Sequence, residues 1–214
     1  MRRMARLSLA AAGIPTPASG FGRATTWASA DDGRSWERLA AIAPRPGDRA
    51  DDYRELHGVE AADGRLVVHI RNHSASNTNV TLQTESTDGG RNWSVPHPIG
   101  VWGLQSHLLR LRDGRLVMSY GHRRPPFGNQ ARVSQDRGRS WSQPVPISED
   151  GAGSDLGYPP TEELGDGSLL TVWYERLAGQ PRRVAQTPLA SVSGSPRIPK
   201  SGNPFTLDGV YIFS

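Results

Sequence analysis

An octapeptide that returns three times constrains this chain more than any other feature. Ser29-Ala30-Asp31-Asp32-Gly33-Arg34-Ser35-Trp36 recurs as Ser86-Thr87-Asp88-Gly89-Gly90-Arg91-Asn92-Trp93 and as Ser134-Gln135-Asp136-Arg137-Gly138-Arg139-Ser140-Trp141. The shared pattern is Ser-x-Asp-x-Gly-Arg-(Ser/Asn)-Trp, and its tryptophans stand 57 and 48 residues apart. A period of that length marks stacked supersecondary units. The Asp can accept backbone N–H groups of its own turn, and the Gly takes a conformation that side chains resist. The Trp is expected to bury its ring between neighbouring sheets. One such octapeptide would be an ordinary turn; three in step define a repeat.

A second marker keeps the same rhythm. Asp63-Gly64, Asp113-Gly114 and Asp166-Gly167 are hairpin dipeptides, 50 and 53 residues apart. Each precedes a β-rich run: Leu66-Val67-Val68-His69-Ile70, Leu116-Val117-Met118-Ser119-Tyr120, and Leu169-Leu170-Thr171-Val172-Trp173-Tyr174. The unit reads as strand A, Asp-Gly turn, strand B, loop, strand C, octapeptide turn, strand D. Four antiparallel strands per repeat make a propeller blade. Strand A is expected over Glu55–Ala61, Ser106–Leu111 and Tyr158–Leu164, and strand C over Arg23–Ala28, Val80–Thr84 and Gln130–Val133. Strand D should end near Ala43, Ile99 and Ile147.

Composition agrees with many short strands: 24 Gly and 17 Pro among 214 residues. The absence of cysteine removes disulfides, thiolate metal sites and thiol nucleophiles. The basic residues are arginines apart from Lys200, and they scatter beside turns at Arg34, Arg65, Arg91, Arg115 and Arg139. A nucleic-acid binder would gather them on one stripe with aromatics between, so no nucleic acid is expected as a partner. No apolar run is long enough for a membrane span.

Blade sequence occupies 23–185. Residues 1–22 stand apart, with a basic start, a short apolar stretch and Gly-Ile-Pro, and read either as a signal-like segment or as a non-native start. The first reading implies a secreted or periplasmic protein. Residues 186–214 are Ser/Pro/Gly-rich and lose the period; no fourth octapeptide stands near residue 190. Three to four blades are therefore expected, two of them complete, as in a fragment of a larger propeller.

These octapeptides resemble the Asp-boxes of the sialidase (neuraminidase) superfamily, the BNR-repeat proteins. Asp155-Leu156-Gly157-Tyr158-Pro159-Pro160 with the strands that follow is similar to a blade opening common in bacterial members, and Ser119 to Gly128 has the same character. The resemblance covers about residues 23–185. It implies an all-β, six-bladed propeller. It also implies exo-glycosidase chemistry on terminal sialic acid, with three arginines on the sugar carboxylate, a tyrosine nucleophile helped by a glutamate, and an aspartate acid/base. The family's Phe/Tyr-Arg-Ile-Pro motif is not found in this sequence.

Topology says which face would do chemistry. The start of strand A and the end of strand B share one rim, and the Asp-Gly turns and Asp-boxes occupy the other. The first rim collects Glu55, Asp52 and Tyr158 as catalytic candidates, the first two as acid/base groups. It collects Arg71, Arg123 and Arg124 as clamps for a substrate carboxylate, since guanidinium forks match carboxylates. Tyr53, His73, Gln105 and His107 complete the substrate-binding set. Each has a plain alternative: a salt-bridged loop arginine, a loop-capping acid, a packed tyrosine. The histidines lie on different loops without ligand spacing, so no metal is expected, and nothing calls for a cofactor. The function expected is a sialidase-like glycoside hydrolase acting on terminal acidic sugars of glycans. The alternative is a non-catalytic propeller that binds glycan or protein through the same rim.

Overall fold

The computed structural model describes residues 6–10, 24–74 and 80–189. Most of the signal-like segment and most of the tail lie outside the described residues. The rest is all-β, without an α-helix among the described residues. Four antiparallel sheets follow one another along the chain. The first holds β1 (Arg6–Ala10), β2 (Thr25–Ser29) and β3 (Glu37–Ala41). The second holds β4 (Tyr53–Glu60), β5 (Leu66–Asn72), β6 (Val80–Ser86) and β7 (His97–Trp102). The third holds β8 (Leu104–Arg110), β9 (Leu116–His122), β10 (Gly128–Ser134) and β11 (Val145–Ser148). The fourth holds β12 (Thr161–Glu163), β13 (Leu169–Arg176) and β14 (Arg182–Leu189). Two complete blades are thus flanked by a sheet with strands B to D and one with strands A to C.

The blade sequence starts earlier than residue 23. Residues 6–10, inside the stretch set apart in the sequence, pair antiparallel with 25–29 as strand B of the first sheet. At the other end β14 runs to Leu189, past residue 185.

Neighbouring sheets share cores. Ile42, Tyr53, Val68, Ile70 and Leu82 pack between the first and second sheets. Val67, Val101, Leu108, Leu116 and Met118 pack between the second and third. Leu111, Val117, Ala131 and Leu169 pack between the third and fourth. β5 and β9 are therefore buried on both faces, which explains their apolar runs, interrupted only by the buried His69 and Ser119 before Ile70 and Tyr120.

The Asp-box turns are built as their residues dictate. In each, the serine hydroxyl donates to the aspartate at 2.8 Å, and the aspartate accepts N–H groups three or four residues on. The glycines sit at φ 87°, 88° and 86°, where only glycine is unstrained. The Ser35 hydroxyl chiefly holds Asp31 down to about 2, and the Asn92 N–H chiefly does the same for Asp88. Burial, the largest influence on Asp136, raises it, yet the Ser140 hydroxyl and N–H bring it to about 2.

The box tryptophans do not share one environment. Trp93 and Trp141 are half-buried against the cores between their own sheet and the preceding one. Trp36, expected to be buried likewise, is 42% exposed. Its burial requires a preceding sheet, and among the described residues its own sheet is the first.

Candidate functional site

Strand A of both complete blades opens with the same irregularity. The β4–β5 register shifts between Arg54 and His57, and the β8–β9 register shifts between Leu104 and Ser106. Glu55 and Gln105 sit inside these bulges with φ of 48° and 46°, and Tyr158, just ahead of β12, has φ 53°. A bulge re-aims the side chain it carries, and such irregularities gather beside active sites.

Two of these residues meet. The Tyr158 hydroxyl donates to Glu55 Oε1 at 2.8 Å, although 103 residues separate them. Arg71, one residue from the end of β5, donates from Nη1 to Glu55 Oε2 at 2.5 Å and to the Tyr158 hydroxyl at 3.3 Å. The Arg71 side chain is 12% exposed and that of Glu55 30%, so the pair is shielded from water on its arginine side and open on its carboxylate side. Burial, then the Glu55 carboxylate, pushes the Tyr158 phenol above its ordinary value. Tyr158 itself is 37% exposed, so the cluster opens to solvent on its tyrosine side.

A second arginine–tyrosine pair stands beside the first. Arg123 Nη2 donates to the Tyr174 hydroxyl at 3.4 Å, and the Tyr174 and Tyr158 rings lie 5.9 Å apart. Gly157 makes room for this: a Cβ there would stand 3.4 Å from Arg123 Nη2, and its φ of 133° suits glycine. Gly157 also bridges to Tyr174 through paired backbone hydrogen bonds, which fixes Tyr158 beside the end of β13 in the fourth sheet.

Other candidates are placed differently. Tyr53 is a correction: it is 1% exposed, packed in the core between the first two sheets. Its hydroxyl donates to Asp48 at 3.0 Å and accepts the Arg45 N–H, and burial pushes its phenol up to about 12. It faces the core, not the rim. His107 joins blades: its Nδ1 accepts the Thr161 N–H at 3.3 Å, as His57 Nδ1 accepts the Leu108 N–H at 3.0 Å. The two rings lie 4.3 Å apart. Burial, then His57, pulls His107 down to about 4, which keeps Nδ1 free to accept.

Asp52 closes the short 3-10 turn Ala50–Asp52 that leads into β4, and its carbonyl accepts the N–H of the exposed His73. Arg124 is exposed and lies over the Trp102 ring, 3.7 Å from its centre, while Trp102 meets His122 edge-on. Gln105 is half-buried at the strand start of the blade between Glu55 and Tyr158. The structure thus brings Glu55, Arg71 and Tyr158 into one cluster with Arg123 beside it, and gives Tyr53 and His107 structural contacts. Tyr174 was not singled out in the sequence. Its signal was there: it ends the third β-rich run, beside the Gly157-Tyr158 opening. Among the described residues no group of three or more His, Asp or Glu converges as metal ligands would.

Comparison with known proteins fits this architecture. The family model described as BNR repeat-like domain matches residues 7–171. The chain belongs to the BNR repeat-like domain family. A protein of unknown function from Dyadobacter fermentans is 26% identical with a TM-score of 0.67, over 77% of this chain and 44% of that one. A Hadza microbial sialidase is 18% identical with a TM-score of 0.59, over 77% of this chain and 38% of that one. An endo-1,4-beta-xylanase from Bacteroides thetaiotaomicron is 12% identical with a TM-score of 0.61, over 92% and 69%. The last two likenesses are of fold, a propeller that glycoside hydrolases share. This BNR chain spans less than half the length of the Dyadobacter protein and of the sialidase. No curated protein matches it.

Proposed function

We propose that the rim holding Glu55, Arg71 and Tyr158 is the saccharide site of a sialidase-type exo-glycosidase acting on terminal acidic sugars of glycans. One observation carries this reading. The Tyr158 hydroxyl lies 2.8 Å from a carboxylate that can take its proton and 3.3 Å from a guanidinium that can steady the phenolate. A tyrosine nucleophile is a known alternative to the usual carboxylate pair of glycosidases.

In this scheme the Tyr158 oxygen bonds to the anomeric carbon while its proton passes to Glu55. The glycosidic bond breaks, and the leaving oxygen takes a proton from an acid, for which Asp52 is the candidate. Water then attacks the same carbon and gives its proton to the Asp52 carboxylate, the bond to Tyr158 breaks, and the released Tyr158 oxygen recovers its proton from Glu55. The raised phenol keeps Tyr158 protonated at rest, so proton removal must accompany attack. Arg71 and Arg123 present guanidinium groups suited to the sugar carboxylate. Terminal glycans of this kind are met outside the cytoplasm, and a secreted or periplasmic location belongs to the same proposal.

Initial rates on chromogenic sialosides and uronides test it. Replacing Glu55 by Gln or Tyr158 by Phe should lower kcat about 100-fold or more, the scale of a lost acid/base group. Unchanged kcat in both variants on every turned-over substrate would sink the scheme. Saturable sugar binding without turnover would favour a binding propeller.

A further inference from the structure

Three residues hold the same unfavourable backbone conformation at the same place in successive blades. Glu55, Gln105 and Tyr158 each stand eight residues before the aspartate of their blade's Asp-Gly turn. Their φ values are 48°, 46° and 53°. This left-handed region suits glycine, and long side chains held there are strained. Strain of this kind persists where the surrounding structure enforces it, and it gathers at ligand sites.

Glu55 and Tyr158 are bonded to each other, and Gln105 comes from the blade between them. Its Oε1 is buried and accepts no hydrogen bond from the described residues. Arg71 Nε and Arg123 Nε are buried without an acceptor in the same way. Buried polar atoms are costly to leave unmatched, and nearly all find a partner in stable proteins. The A/B rim therefore carries two unmatched donors on arginines and two unmatched amide acceptors, Gln105 Oε1 and, at the start of β10, Asn129 Oδ1. An anionic sugar supplies the complement: carboxylate oxygens for the guanidinium groups, and a ring hydroxyl or acetamido N–H for the Gln105 amide oxygen.

We propose that the left-handed residue at the start of strand A is the position from which each blade reads its ligand, and that Gln105 is the specificity-determining residue of the middle blade. Its Oε1 accepts a hydrogen bond from a hydroxyl or acetamido N–H of the sugar whose carboxylate meets the arginines. This rests on the saccharide reading of the rim and names a contact that reading does not contain. The register shift between Leu104 and Ser106 leaves Gln105 without a partner on β9, and Gln105 is less buried than Leu104 and Ser106 on either side of it.

The test is calorimetric titration of N-acetylneuraminic acid and of glucuronic acid into the wild-type chain and into Gln105→Gly, Gln105→Met and Arg71→Ala, with Tm measured for each. Glycine relaxes the backbone and removes the amide; methionine keeps the length and removes the acceptor. Both Gln105 variants should weaken the preferred sugar about tenfold or more, as sites lose ligands whose hydrogen bond is unmade. Gln105→Gly should keep or raise Tm, because the strain is relieved. Wild-type affinity in both Gln105 variants, with binding lost in Arg71→Ala, overturns this inference and leaves the saccharide site standing. A fall in Tm in both Gln105 variants makes Gln105 a structural residue and also overturns it. If the wild type binds neither sugar, or Arg71→Ala binds like wild type, the saccharide reading falls and this inference with it.

Discussion

Lowering the pH should remove stability from this protein in two successive stages, and the upper one, above about pH 4, belongs to histidines at blade contacts. His107 accepts the Thr161 N–H through Nδ1 and is pulled down to about 4 by burial and by His57. His69 is fully buried, accepting the Ser106 hydroxyl at Nδ1 and donating from Nε2 to Gln83, and burial pulls it down to about 3. An unfolded histidine titrates near 6.5. Between those values the unfolded chain binds protons that the folded chain refuses, so stability rises with pH. The contribution is complete above about pH 6.5 and is lost as the pH falls towards 4 and 3. From pH 7.5 to 5 each of the two histidines should cost about 2 kcal/mol, from 1.36 kcal/mol per unit. Against a total of roughly 5–15 kcal/mol that loss is large. The box aspartates, held at about 2 against an ordinary 3.8, contribute stability that is lost only below about pH 4, so they do not blur the window. Urea unfolding at pH 7.5, 6 and 5 measures this. Wild type should lose at least about 4 kcal/mol, because burial lowers His57 as well, and His107→Gln about 2 kcal/mol less than wild type, because it has one fewer buried imidazole. Equal stability at pH 7.5 and pH 5 would refute the reasoning.

Two further outcomes are expected. Asp88→Ala removes the acceptor of the Ser86 hydroxyl, the Arg91 and Asn92 N–H groups and the Asn92 amide, so thermal melting should show a lower Tm with sugar affinity unchanged. Gly157→Ala puts a side chain at φ 133° beside Arg123, which should cost about 1–3 kcal/mol in urea unfolding and weaken sugar binding as Arg123 is displaced.

The blades were legible in the sequence because their punctuation is local. An Asp-box needs only its own serine, aspartate and glycine, and each strand begins or ends within three residues of the expected place. The Trp36 environment was not legible, since it depends on the sheet that lies against it. The rim rule put Glu55, Arg71 and Tyr158 at one end of their blades, where they meet, because alternating strand direction alone decides which end of a blade a residue occupies. It could not say which way a side chain turns at that end. Tyr53 and Glu55 are two residues apart, and a regular strand would place them on one face. The bulge after Arg54 separates them, sending Tyr53 to the core and Glu55 to Arg71. His107 looked like a rim ligand for the same reason; only the next blade's Thr161 shows what its ring does. The equal spacing of Glu55, Gln105 and Tyr158 from their Asp-Gly turns was readable, but its meaning depends on the positive φ that the three share.

The central claim is that Arg71 receives the carboxylate of an acidic sugar beside Glu55 and Tyr158. It is tested most directly by the affinity of N-acetylneuraminic acid relative to its methyl ester, measured by calorimetry for wild type and for Arg71→Ala. The ester keeps the ring and loses the charge, so the two pairs form a cycle that isolates the arginine–carboxylate contact. Wild type should prefer the acid about tenfold or more, the scale of a charge-assisted hydrogen bond, and Arg71→Ala should lose most of that preference, keeping only what Arg123 supplies. An undiminished preference for the acid in Arg71→Ala would place the carboxylate elsewhere and contradict the account.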